Sequence, residues 1–199
     1  MHEYYRNNIL KLKKENEGYL RFVKVELEQN AGKPYSEVWE EIWGFYEKNL
    51  LEHFPYIGGD KVSGTKNLTG AYIFVAMGEV LKRYGVSVEG SARLMVLAYE
   101  RKYQAIQRPV RAVMRKIFSS PRLVTKMYRT KDRENTENAA KYPGSFETKT
   151  MQPPAEGCVF TYHTLVCPLS DFAKKYGYEE YMPYLCNLDY VMFGVLGVP

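Results

Sequence analysis

The Tyr142-Pro143-Gly144 break splits this chain into two hydrophobic patterns that no single kind of secondary structure accommodates. Before it, apolar residues recur at three- and four-residue intervals, the period of helices packed by one face. After it, Phe146 to Met151 and Cys158 to Val166 are rich in β-branched and aromatic residues, with Pro153-Pro154 and Gly157 in the loop between. These read as two antiparallel strands. A pair of strands is marginal alone, so helices or a third strand must cover it. Pro168 then opens a helix stopped by Gly177, and Pro183 opens a last one running to about Leu196. The expected fold class is α+β, mainly α. A helical body over 1–142 precedes a small antiparallel β-hairpin unit with two helices over 143–199, packed with the body as one domain.

Within the body, the first thirty residues suggest two short helices, or one broken near Asn16. Pro34 opens a helix with Ser36 as its N-cap and Trp39, Trp43, Tyr46 and Leu50 on one face. A loop from Pro55 to Lys61 follows. Thr65 or Asn67 caps a helix through Tyr84, and Ser87 caps another that reaches Arg108-Pro109. Pro109 begins a basic amphipathic helix expected to bury Val110, Val113, Met114 and Ile117 against its own protein. Ser120-Pro121 starts a further basic helix.

At 45% hydrophobic and 26% charged, the chain has enough apolar residues for a packed core and is not of a disordered type. Its longest apolar stretch, Ala71 to Met77, is too short to span a bilayer. The start carries no apolar signal-peptide core. Three cysteines without regular spacing point to a reducing, cytoplasmic setting. The net charge of +5 is unevenly placed: eleven Lys and Arg residues lie between Arg101 and Arg133, with Asp132 the only acid among them. Such a segment could meet an anionic membrane, nucleic acid or an acidic partner, but a solvated helix face is the ordinary explanation. No nucleic acid partner is expected.

Four segments resemble the 2-aminothiazoline-4-carboxylate hydrolase family. They are Pro55-Tyr56-Ile57-Gly58-Gly59 with Lys66-Asn67-Leu68-Thr69-Gly70-Ala71; Ala139-Ala140-Lys141-Tyr142-Pro143-Gly144; Cys167 at the end of the second strand; and Pro183-Tyr184-Leu185-Cys186-Asn187-Leu188-Asp189, similar to the family's Cys-x-x-Asp signature. They occur in family order. The resemblance implies a hydrolase that adds water at C2 of a small cyclic amidine carrying a carboxylate, giving a carbamoyl-cysteine on a route to cysteine. Family members usually continue with a further strand, and this chain ends on an apolar tail, Phe193 to Pro199. The expectation is a longer natural chain, or cover from another chain.

The residues themselves offer matching chemistry. Cys167 stands where a strand ends and a helix begins, facing unpaired N–H groups that favour a thiolate nucleophile, although a buried cysteine at a strand end is as common. Cys186 and Asp189 are three apart on a helix expected to be buried over most of its circumference, where a carboxylate needs a partner. That partner is a ligand's cationic amidine, a metal, or a group of the protein. His163, alternating to the same strand face as Cys167, is a candidate base, or else a satisfied core histidine. Cys167, Cys186, Asp189 and His163 are zinc-compatible, but no close-spaced ligand pair is present, so neither metal nor other cofactor is expected. Gly58 and Gly59, with Lys61, Lys66 and the start of the Asn67 helix, form either an anion-binding loop for the substrate's carboxylate or a tight turn. Two other readings stay open: a non-catalytic ligand-binding protein on the same fold, and peripheral binding of an anionic surface through the basic helices.

Overall fold

The computed structural model describes residues 1–198, so Pro199 at the end of the apolar tail lies outside the described residues. The chain opens with α1 (Glu3–Asn7), α2 (Ile9–Leu20) and α3 (Lys24–Ala31). The break expected near Asn16 falls instead at a 3-10 turn, Arg21–Val23. Asn16 is itself buried inside α2, and a side chain at Gly18 would meet nothing, so the helix passes through both. α3 stops at Gly32, whose φ of 64° is the left-handed conformation that glycine adopts freely.

α4 (Tyr35–Phe45) runs into a wide π turn, Tyr46–Leu50, and the apolar face read from the sequence is buried throughout: Trp39, Trp43, Tyr46 and Leu50. Burial of side chains this size contributes roughly 1.5–3 kcal/mol each. The N-cap is Pro34 rather than Ser36, because Glu28 of α3 reaches over to accept the Tyr35 N–H at 3.0 Å. α5 (Ser63–Lys82) is the central helix. From Tyr72 to Met77 every side chain is buried, so this stretch is enclosed on all sides. It begins earlier than expected, which puts Lys66 and Asn67 inside the helix rather than at its cap. α6 (Val88–Gln104) starts at Ser87 as expected, whose Oγ accepts the Gly90 N–H at 3.1 Å.

α7 (Arg108–Phe118) corrects the sequence reading. It contains no buried residue, and Val110 and Val113 are exposed. The helix is held instead along one flank, where the Phe118 ring meets that of Phe193 at 5.3 Å. α8 (Pro121–Lys141) covers the hairpin: its Asp132 accepts from Thr148 Oγ1 and from the Thr150 N–H, both at 2.7 Å. The strands β1 (Glu147–Thr150) and β2 (Tyr162–Val166) are antiparallel and shorter than the patterns suggested.

Between Glu147↔Val166 and Thr148↔Thr164 the register slips, leaving Leu165 as an extra residue on β2. α9 (Pro168–Tyr176) follows and ends at Gly177, φ 78°. The last helix expected from the sequence is two, α10 (Met182–Cys186) and α11 (Leu188–Leu196), parted at Asn187, a residue whose side chain competes with helical hydrogen bonding. Phe172, Tyr181, Leu185 and Leu188 join the same apolar cluster as α4 and α5, so the C-terminal elements share the body's core. No helix among the described residues is long and apolar enough to cross a membrane.

Candidate functional site

A cavity of about 380 Å³ opens between α5, the hairpin and the α10–α11 pair. Its wall brings together Cys167, Cys186 and Asp189 with Lys66 and Asn67. Each arrives for a local reason. Cys167 is the N-cap residue of α9, where Pro168 fixes the first helical position, and the Tyr72 hydroxyl holds that first turn by donating to Leu169 O at 2.6 Å. Asp189 lies in the first turn of α11, and Cys186 closes α10 immediately before the Asn187 break. Lys66 and Asn67 project from the second turn of α5.

Asp189 makes no hydrogen bond or ion pair among the described residues, which leaves its carboxylate available to whatever enters the cavity. The expected buried helix proves open on this side: Cys186 and Asp189 are both reached by solvent through the cavity mouth. They are nonetheless crowded by protein from behind, and this partial burial raises the Asp189 carboxyl above the usual carboxylate range, with distant Lys131 pulling slightly back. The Cys186 thiol is raised by burial and then by the nearby Cys167 and Asp189. Tyr19, Tyr99 and Tyr162 line the same cavity as the carboxylate. Burial pushes the Tyr99 and Tyr162 hydroxyls up, with the Asp189 charge adding to the effect.

Gly70 also lines the cavity. A side chain there would stand 3.3 Å from the Tyr19 hydroxyl and would push it back by a few tenths of an ångström.

Other sequence candidates lie elsewhere. His163 is exposed and outside the cavity wall, which is lined by its neighbours Tyr162 and Thr164. The reason is the bulge at Leu165. One extra residue inverts the alternation, so Cys167 faces the cavity with Tyr162 and Thr164 while His163 faces out. The glycine pair also lies apart. Gly58 (φ 111°) and Gly59 (φ 67°) form a tight turn in which a Cβ would stand 2.5 Å from Asn138 Oδ1 and 3.0 Å from Tyr4, respectively. Lys61 is exposed beside it, and the loop's Asp60 already accepts from Lys11 and Tyr4 at 2.7 Å each. Cys158 is exposed. No group of three His, Cys, Asp or Glu side chains is arranged to hold a metal ion among the described residues.

Lys102 escaped the sequence reading. Its Nζ lies 3.7 Å from the ring centre of Tyr19, a cavity-wall residue, and 5.5 Å from that of Tyr99. Burial lowers its ammonium pKa to about 8. In sequence it is one lysine in a basic run, and nothing there signals that rings from two helices converge on it.

The fold is thus mainly helical with a small hairpin, and its C-terminal end carries a cavity lined by two cysteines and a carboxylate. Residues 67–197 match the family model of L-2-amino-thiazoline-4-carboxylic acid hydrolase, and the chain belongs to this family. No curated protein and no solved structure matches it.

Proposed function

We propose that the protein opens a small cyclic amidine bearing a carboxylate, of the 2-aminothiazoline-4-carboxylate type, by adding water at C2. The observation that carries this reading is the partnerless Asp189 carboxylate, in the same cavity as tyrosine rings, two cysteines and Lys66. An amidinium supplies the missing counter-charge, and Lys66 with Asn67 offers donors for the substrate's carboxylate. The Cys167 thiol releases its proton to solvent as its sulfur adds to C2 of the protonated amidine. Cys186, held as a thiol by its raised pKa, gives a proton to the ring atom that departs as its bond to C2 breaks. Water then hydrolyses the Cys167-bound carbon, restores both thiols and releases a carbamoyl-cysteine.

The test is turnover by the full chain, followed by mass spectrometry of the product. Wild type is expected to open the ring, Cys167→Ser to lose turnover while keeping substrate binding, and Asp189→Asn to lose both with the fold intact. Ring-opening that survives both substitutions would sink the mechanism.

A further inference from the structure

Arg122, Lys126, Arg129 and Arg133 of α8 recur at helical intervals of four, three and four, which keeps all four on one narrow face. At 1.5 Å per residue the row is about 16 Å long. Together with Gln152 and Pro154 of the loop between the strands, these four line an open groove of about 570 Å³, and no carboxylate is among its lining residues. All four are exposed, and none forms an ion pair among the described residues. Of the α8 acids near the row, Asp132 is committed to Thr148 and Thr150 of β1, and neither Glu134 nor Glu137 lines the groove.

Three neighbouring pairs in the row are like-charged at i,i+3 or i,i+4 spacing, an arrangement that weakens a helix. Glu137, four residues after Arg133, can ease only that end of the row, and no ion pair among the described residues neutralises the other three cations, so their charge is open to an outside anion. A single carboxylate would engage one or two of the four cations. Several linked phosphates match both the length of the row and the forked donors of its three arginines. At the groove's edge, Pro121 and Val159 add an apolar surface for an organic portion. We propose that this groove binds a ligand carrying two or more linked phosphate groups, either soluble or on a lipid headgroup. It is distinct from the cavity at Asp189, since the two share no lining residue.

The probe is inorganic tripolyphosphate, titrated calorimetrically into the full chain at near-physiological salt, with inorganic monophosphate in parallel. Tripolyphosphate is expected to bind saturably, and monophosphate at least about tenfold more weakly. Arg129→Gln should weaken tripolyphosphate on the order of tenfold, the loss of one charge-assisted contact. Lys116→Gln, which removes an equal charge from α7 outside the groove, should leave binding unchanged. The melting temperature of Arg129→Gln should match or exceed wild type, because a like-charge pair has gone. Equal weakening by both substitutions would mean bulk attraction and overturn the proposal, as would absence of saturable binding.

Vesicles with and without a phosphoinositide bisphosphate separate the two sources. Binding that requires the bisphosphate and is lost in Arg129→Gln assigns a lipid headgroup, and no vesicle binding beside intact tripolyphosphate binding assigns a soluble ligand. Vesicle binding that tripolyphosphate cannot compete away would overturn the groove as the site. Binding of single-stranded oligonucleotides that tightens with length and displaces tripolyphosphate would show an extended nucleic-acid surface instead, and would also overturn it.

Discussion

Replacing Lys102 by methionine is expected to stabilise the fold at neutral pH. The ammonium sits among Tyr19, Tyr99 and Tyr103, its Nζ 3.7, 5.5 and 5.8 Å from their ring centres, and no carboxylate pairs with it among the described residues. Burial lowers its pKa from 10.5 to about 8. The native state therefore holds this proton less tightly than the unfolded chain does. Stability rises with pH between these two values, and the whole penalty applies below the lower one. At roughly 1.4 kcal/mol per pKa unit, the drop corresponds to about 3 kcal/mol. Attraction of the cation to the rings, chiefly Tyr19 at 3.7 Å with the other two farther off, offsets roughly 1–2 kcal/mol in all, leaving a net cost of about 1–2 kcal/mol. Methionine keeps the stem's apolar contacts and removes the charge. Urea melts of both proteins at several pH values between about 6.5 and 10 measure the difference directly. The variant should be more stable by about 1–2 kcal/mol near pH 7, with the gain shrinking as pH approaches 10. A variant less stable at neutral pH, or a difference independent of pH, would refute the reasoning and show that the rings hold the cation favourably.

Gly78→Ala would place a Cβ 2.5 Å from the ring of Tyr181, which is fully buried and bonded to Glu79, so a loss of about 2–3 kcal/mol is expected in thermal melts. Gly64→Ala would press within 2.7 Å of Phe146, a cavity-wall ring, so substrate binding should weaken several-fold by calorimetry with a smaller effect on the melt. In a Cys158→Ser, Cys167→Ser background, alkylation of Cys186 should be slow at neutral pH and rise with pH; adding Asp189→Asn should move that rise to lower pH, because the Asp189 charge helps raise the thiol. An unchanged profile would remove Asp189 from the neighbourhood of Cys186.

Much of this arrangement was legible in the sequence because it depends on local chemistry. Ser87 announces its helix through its own side chain, and the Trp39, Trp43, Tyr46, Leu50 spacing survives even though the helix widens into a π turn at Tyr46. The spacing of Cys186 and Asp189 put both on one wall despite the break at Asn187 between them. What failed depends on tertiary geometry. A single-residue bulge at Leu165 turned His163 outward and Cys167 inward, and strand alternation carries no trace of it. α7 has a strong apolar arc, but the flank carrying Phe118 packs, leaving Val110 and Val113 in solvent. The cage around Lys102 needs Tyr19 from a helix some eighty residues earlier, a convergence no local pattern reports.

The central claim, that Asp189 is the counter-ion for a cationic ring, is tested most directly by calorimetric titration of 2-aminothiazoline-4-carboxylate into the Cys167→Ser protein, with and without Asp189→Asn. Two unit charges about 4 Å apart at an effective dielectric near 20 attract by about 4 kcal/mol, and solvent entering the open cavity reduces this to about 2 kcal/mol, or roughly thirtyfold in affinity. Cys167→Ser should bind the ligand at one site, and the double variant should bind it at least tenfold more weakly while melting no lower, since the uncompensated charge is gone. Equal affinity in the two proteins would contradict the account, because the carboxylate would then make no difference to the ligand it is said to hold.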